Sequence, residues 1–157
     1  MLIGVISDTH DNLTKLDRAV SFFNKQNVSF VLHAGDYVAP FSVARLSKLA
    51  CDWRGVFGNN DGDREALARA SGNRIAENIL RVEIDGRKIV MAHDVGRLEL
   101  KKETAQIIIC GHTHKPVLLE KGDRIIVNPG EACGWLSGVS TVAIIDLSAM
   151  TAKIHTL

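Results

Sequence analysis

The sequence is poor in the features that mark several common functional classes. Its three cysteines, Cys51, Cys110 and Cys133, are odd in number, widely spaced and form no Cys-x-x-Cys pair. That argues against a disulfide framework and against a thiolate zinc site. Reduced thiols are the expectation, and with them a cytoplasmic protein. Charge of one sign is also lacking: 19 Lys and Arg stand against 18 Asp and Glu, leaving a net charge of +1. No broad basic surface is therefore expected for extended nucleic acid, and none for a membrane. A phosphate-bearing partner would have to be held by local chemistry. No apolar run approaches transmembrane length, and Met1 to Ile6 reaches Asp8 too soon for a signal peptide. Internal repeats, low-complexity tracts and linkers are absent too, so residues 1–157 are expected to form one domain with a substantial core.

What is present is a series of apolar strands that end in polar residues. Leu2 to Ile6 runs into Ser7-Asp8-Thr9-His10, Val28 to Leu32 into His33, Gly35 and Asp36, and Trp53 to Phe57 into Gly58-Asn59-Asn60-Asp61. Helices are expected between them: one capped by Asn12 and running to Lys25, one over Phe41 to Ala50, and one from Asp63 to about Ala70. Such a βαβαβα order with continuous apolar strands predicts a parallel sheet covered by helices. The second half changes character. Asp85-Gly86 between Ile79–Ile84 and Lys88–Ala92 is a hairpin signal, Lys121-Gly122-Asp123 marks a second hairpin, and Val139–Asp146 with Thr151–Thr156 a third. A helical piece is expected around Leu98 to Thr104. A second sheet packed on the first, with helices outside, accounts for both halves.

Ile107 to Cys110 reads as a buried strand that delivers Gly111-His112-Thr113-His114 to a sheet edge. In extended geometry the two imidazoles would lean the same way, toward one site or two adjacent ones. Collected along the chain, the polar residues at strand ends are Asp8, His10, Asp36, Asn59, His93, His112 and His114. Carboxylates and imidazoles together suit borderline divalent ions. Two ions about 3.5–4 Å apart, sharing one carboxylate, would need roughly this many donors. His155 lacks such company and is expected to be structural, and His33 is expected to support the site from behind.

These blocks, Asp8-Thr9-His10, Gly35-Asp36, Gly58-Asn59-x-Asp61, His93 and Gly111-His112-Thr113-His114, resemble in order and spacing those of the calcineurin-like metallophosphoesterases. The small size and Val127-Asn128-Pro129-Gly130-Glu131 resemble the compact single-domain phosphodiesterase branch, especially its archaeal members. The resemblance implies an α/β fold, a two-sheet β-sandwich flanked by helices in four αββα layers. It implies that Asp8, His10 and His114 hold one divalent ion, that Asn59, His93 and His112 hold a second, and that Asp36 bridges them. Manganese is the first expectation, with nickel, cobalt, iron or zinc as alternatives. The family's reaction is in-line attack on a phosphate ester by a hydroxide between the ions, so Asp36, Asn59 and His93 would act catalytically through the metals. The expected substrate is a small phosphodiester.

Two departures from the family pattern are visible. Many members carry histidine directly after the motif asparagine, where it protonates the leaving group; here the residue is Asn60, and an amide cannot serve as a general acid at neutral pH. Aryl esters, with good leaving groups, should therefore be favoured over alkyl esters. Many relatives also place a histidine two residues after His93, where this chain has Val95. Among the neighbours, Asn12, Asn60 and Arg97 are candidate substrate contacts, Asp61 should orient the Asn59 loop, and Asn128-Pro129-Gly130 should shape the rim. Trp135 is expected in packing or at an interface, the other reading being stacking on a base or aryl group. With Leu136 it leaves a homodimer open. A broad phosphomonoesterase, or a non-catalytic protein-interaction scaffold of the same fold, are the alternative functions.

Overall fold

The computed structural model describes residues 1–157. Its first sheet contains β1 (Leu2–Ile6), β2 (Phe30–His33), β3 (Asp52–Val56), β4 (Ile75–Ala76), β10 (Thr141–Asp146) and β11 (Thr151–Thr156), in the order β11-β10-β1-β2-β3-β4. Pairing from β1 to β4 is parallel, and β10 and β11 add an antiparallel margin. The second sheet holds β5 (Ile79–Ile84), β6 (Arg87–Ala92), β7 (Ile107–Ile109), β8 (Val117–Lys121) and β9 (Arg124–Asn128), in the order β5-β6-β7-β9-β8. The expected sandwich of two sheets is thus formed. The two-residue β4 escapes any reading of hydrophobic runs.

Three helices, α1 (Leu13–Lys25), α2 (Pro40–Leu46) and α3 (Arg64–Ser71), cover one face of the first sheet. Leu16, Ala19, Val20 and Phe23 of α1 form the apolar stripe, packed with Val43, Leu46 and Leu67 against Ile6, Val31 and Val142. A second core lies between the sheets, where Ile3, Val5, Leu32 and Ala143 meet Ile89, Met91, Ile107, Ile109 and Val127. At roughly 25 cal/mol per Å² of apolar surface buried, these two cores supply most of the driving force for folding. No helix is long and apolar enough to cross a membrane.

Two expectations need correction. The segment 98–104 is not a helix: a 3-10 turn at Val95–Arg97 is followed by irregular turns. The Glu103 carboxylate accepts the amides of Thr104 and Ala105 at 2.9 and 3.0 Å, side-chain bonds that compete with a helical ladder. Only Leu98 and Ala105 dip into the small core on the outer face of the second sheet. The fourth layer is thus this connection rather than a helix. Helix α2 also stops at Leu46 instead of Ala50. The Asn24 side chain holds Lys48 and Ala50 by their backbones at 3.0 and 2.8 Å, pinning the chain in a non-helical path.

Candidate metal centre

All the singled-out strand-end residues converge where the carboxyl ends of both sheets meet. Asp8 follows β1, Asp36 follows β2 and Asn59 follows β3, whereas His93 follows β6, and His112 and His114 follow β7. Asp8, His10, Asp36 and His114 form a group whose ligand atoms all lie within 4.8 Å of one another. Asn59 Oδ1 lies 2.9 Å from His93 Nε2 and 2.9 Å from His112 Nδ1, gathering the other three. Asp36 joins the two groups, because its Oδ2 stands 3.4 Å from His10 Nε2 and 3.4 Å from His93 Nε2.

The His-Thr-His segment reaches this arrangement in an unexpected way. It is not extended: His112 and His114 have φ of 68° and 59°, and the Thr113 amide donates to Gly111 O at 2.8 Å. The left-handed turn sends the imidazoles to opposite ends of the site, His112 to Asn59 and His114 to Asp8, 3.4 Å away. Asp8, His10, Asp36 and Val38 also have positive φ. Conformations of this kind cost energy for residues with a Cβ and cluster at functional sites. Gly58 shows how closely the backbone packs here, since a Cβ on it would lie 2.1 Å from Asp36 Oδ1.

Hydrogen-bond polarity tests whether these residues fit metal ions. Ala34 O can only accept, so His93 Nδ1 carries the proton and donates to it at 2.7 Å. Its Nε2 then faces two oxygens, Asn59 Oδ1 and Asp36 Oδ2, where it must either carry a second proton or turn a lone pair toward a cation. His114 repeats the pattern, with Nδ1 donating to Glu131 Oε2 at 3.0 Å and Nε2 facing Asp8 Oδ1. An imidazole nitrogen facing a carboxylate oxygen is stable there only with a positive charge between them, a metal ion or a proton. Asp8 Oδ1 and His10 Nε2 are moreover buried without a hydrogen-bond partner, which is costly unless something else satisfies them. The donor set fits divalent cations of the borderline class.

Without cations, protons are drawn in their place. The carboxylates of Asp8 and Asp36 raise the pKa of His10 against the opposing effect of its partial burial. Burial would lower His93, but Asp36 more than offsets it and the pKa rises. Asp36 is held well below the usual carboxylate range: burial works against ionisation, and bonds from His93 and Asn60 outweigh it.

Several neighbours act behind these residues. Asp61 accepts the amides of Gly58, Asp36 and Val38 at 2.7, 3.1 and 2.7 Å, so it fixes the Asp36 loop as well as its own. Asn60 donates from its backbone and side chain to Asp36 Oδ1 and Oδ2, both at 2.8 Å. Asn12 has its carboxamide engaged in the fold: Oδ1 caps α1 through Lys15 N, and Nδ2 donates to Cys133 O at 2.8 Å. That bonding gives no support to a substrate contact. Asn128 braces the His-Thr-His turn through Gly111 O and Thr113 Oγ1. Arg97 is exposed, donates to Asn78 Oδ1 at 3.2 Å, and borders a cavity of about 70 Å³ together with Arg64, Asp94, His93 and His112.

Glu131 is the functional neighbour to which sequence reasoning assigned no role. Besides orienting His114, it accepts the amides of Leu136 and Ser137 and the thiol of Cys133. Burial disfavours its charge, but the bonds from Ser137 and His114 hold its pKa far below the ordinary range. An acid after the rim turn was the available signal, but its contact with His114 spans 17 residues. Such outer carboxylates fix the tautomer and basicity of ligating histidines.

His33 supports the site as a neutral ring. Its Nδ1 accepts from Gly35 N at 3.2 Å, leaving Nε2 to donate to Thr9 Oγ1, whose hydroxyl donates to Asp36 O. Full burial lowers its pKa from 6.5 to about 3. The unfolded chain takes up a proton below pH 6.5 that the folded chain refuses until about pH 3. Its contribution is therefore complete above pH 6.5 and is lost as pH falls, by up to about 1.4 kcal/mol per pH unit. His10 and His93, with raised values, act in the opposite sense, so a comparison with a variant isolates the effect. In metal-free protein, the difference in melting temperature between wild type and His33→Asn is expected to shrink from pH 7 to pH 5. A constant difference would show that His33 is protonated equally in both states.

Comparison with known proteins agrees with this geometry. Residues 1–150 match the family model described as the calcineurin-like phosphoesterase superfamily domain. A curated phosphodiesterase of Methanocaldococcus jannaschii is 37% identical over 154 residues, covering 93% of each chain. A solved structure described as a novel archaeal phosphodiesterase superposes with a TM-score of 0.90 at 35% identity, covering 100% of both chains. Vacuolar protein sorting 29 of Cryptosporidium parvum shares the fold, with a TM-score of 0.71 at 21% identity over 99% of this chain and 96% of its own. With the family's blocks gathered into one site and the family model spanning nearly its whole length, the chain belongs to the calcineurin-like phosphoesterase superfamily and is a phosphoric ester hydrolase.

Proposed function

We propose that this enzyme is a metal-dependent phosphodiesterase that uses two divalent ions, manganese first among them, on a small diester substrate. The observation that carries the reading is the position of the Asp36 carboxylate between the Nε2 atoms of His10 and His93, 3.4 Å from each. Asp8, His10 and His114 would hold one ion, Asn59, His93 and His112 the other, and Asp36 both. When bound, the ions would lower the pKa of water and neutralise phosphoryl oxygens, so that water attacks phosphorus in line.

The protein's own groups prepare that chemistry. Ala34 O and Glu131 hold His93 and His114 with their Nε2 lone pairs turned inward. Asn60 keeps Asp36 ionised and oriented. Arg97, which lines a cavity with His93 and His112, would meet a phosphate oxygen. None of these residues donates a proton to the departing group. This favours aryl esters over alkyl esters in the proposed reaction.

The test is hydrolysis of matched aryl phosphodiesters and monoesters by chelator-stripped protein restored separately with manganese, nickel, cobalt, zinc or magnesium. Diester turnover should return with a transition metal and exceed monoester turnover. Faster monoester hydrolysis would favour a phosphomonoesterase. No turnover with any metal, in protein that binds ions and stays folded, would favour a scaffold.

A further inference from the structure

The rim on the His10 side of the site is built from large apolar side chains, although the chemistry beneath is ionic. Trp135 and Leu136 are 64% and 76% exposed, and Phe41 is 69% exposed. They do not protrude at random. The segment 132–135 runs along the Ser7–Asn12 turn through four hydrogen bonds. Ala132 N donates to Ser7 O and Cys133 N to Asp8 O, both at 3.0 Å. Asn12 Nδ2 donates to Cys133 O at 2.8 Å, and the Trp135 indole N–H to His10 O at 3.3 Å. Phe41 is exposed one residue before Ser42, whose Oγ donates to Asp11 Oδ1 of the same turn at 2.8 Å.

Two features distinguish this rim from an ordinary exposed patch. The indole's only polar atom is bonded to the backbone of a proposed metal ligand, leaving the ring with apolar surface for contact. The loop carrying it is also fixed by Glu131, which accepts Leu136 N and Ser137 N while it orients His114. A flat aromatic with two side-chain torsions, held in place by its polar edge, presents contact area at low entropic cost. On the opposite flank stand Arg64 and Arg97. Arg64 is paired there with Glu77 and bonded to Gly58 O and Asp61 O, which leaves Arg97 as the less engaged cation of that flank, with the indole as the aromatic surface beside His10.

We propose that Trp135 is a specificity-determining platform on which an aryl or nucleobase group of the diester stacks, with Leu136 and Phe41 as its apolar border. The assignment rests on the phosphodiesterase reading and narrows its substrate class to esters with a planar aromatic group. For an aryl ester it also suits the lack of a general acid, because the phenolate departs as a stable anion; a nucleoside ester, which leaves as a sugar alkoxide, would gain from the stacking alone.

The intrinsic fluorescence of the protein gives a test that does not depend on turnover. The other tryptophan, Trp53, is 5% exposed in the helix-side core, so in a Trp53→Phe background emission reports Trp135 alone. With manganese present, adenosine 5′-monophosphate should quench that emission at concentrations where ribose 5-phosphate and inorganic phosphate do not. Equal quenching by all three, or none, overturns the proposal. In kinetics, Trp135→Ala should raise KM for an aryl diester about tenfold more than for a dialkyl diester, with Trp135→Phe restoring most of the difference. Leu119→Ala, exposed on the edge strand β8 and outside the rim, should change neither KM. Equal KM changes for both esters, with a switch from dimer to monomer in sedimentation, would assign the rim to a second copy of the chain instead. Absence of all diester turnover would count against the phosphodiesterase reading, and quenching would still decide whether Trp135 stacks on aromatic ligands.

Discussion

Replacing Asp36 with Asn is expected to lower kcat/KM for any phosphodiester by on the order of 10³-fold or more. The substitution preserves shape and removes charge. Asp36 Oδ2 is equidistant from His10 and His93 at 3.4 Å, and it is the one carboxylate shared between the two ligand groups. A carboxamide cannot serve as a bridging anion for two cations. Charge stabilisation by such ions is worth several kcal/mol, and each 1.4 kcal/mol or so is a factor of ten in rate. A thermodynamic readout separates lost metal from lost chemistry. Saturating metal at 100 times its Kd should stabilise the wild type by about 2.7 kcal/mol. For a chain of this size that amounts to roughly 5–10 °C in melting temperature. The variant should lose most of this metal-dependent increment. An increment equal to that of wild type, with activity retained, would remove Asp36 from the bridging role.

Asn60→His is expected to act in the opposite direction, and selectively. Asn60 is exposed at the mouth of the site and bonded to Asp36 by its backbone as well as its side chain. The backbone bond survives substitution, and an imidazolium there can protonate a departing alkoxide. General-acid assistance is commonly worth on the order of 10²-fold or more when the leaving group needs it. Dialkyl diesters should therefore gain about that much, and aryl diesters little. Because the acid works only when protonated, the advantage should fade as pH rises past the imidazole pKa, normally near 6.5. A uniform gain for both esters would mean that the new histidine does something other than protonate the leaving group. No gain for dialkyl esters would mean that leaving-group protonation does not limit the reaction.

The sequence makes the convergence of these residues legible because each follows a strand of continuous apolar residues, and parallel strands bring their carboxyl ends to one edge. Asp8, Asp36, Asn59 and His93 are found this way. The path of the His-Thr-His segment is not legible, because positive φ at His112 and His114 reflects bonds to Asp8 and Asn59, far away in the chain. The same cause hides Glu131, whose partner His114 lies 17 residues away in the loop after β7. The helix expected near Leu98 fails for a local reason, since Glu103 captures the amides after it. Exposure of Trp135 is equally invisible in a residue type usually packed, because it depends on the acceptor at His10 O.

The division of the site between the two sheets has a consequence for how the chain assembles. The first sheet contributes the carboxylates Asp8, Asp36 and Asp61 but, of the four imidazoles gathered in the site, only His10. The second contributes His93, His112 and His114. During synthesis the amino half emerges first, carrying buried acids whose imidazole neighbours His93 and His114 follow later in the chain. Those acid–imidazole pairs form only when the two halves close together, and an ion captured at the seam would act as a clasp between them.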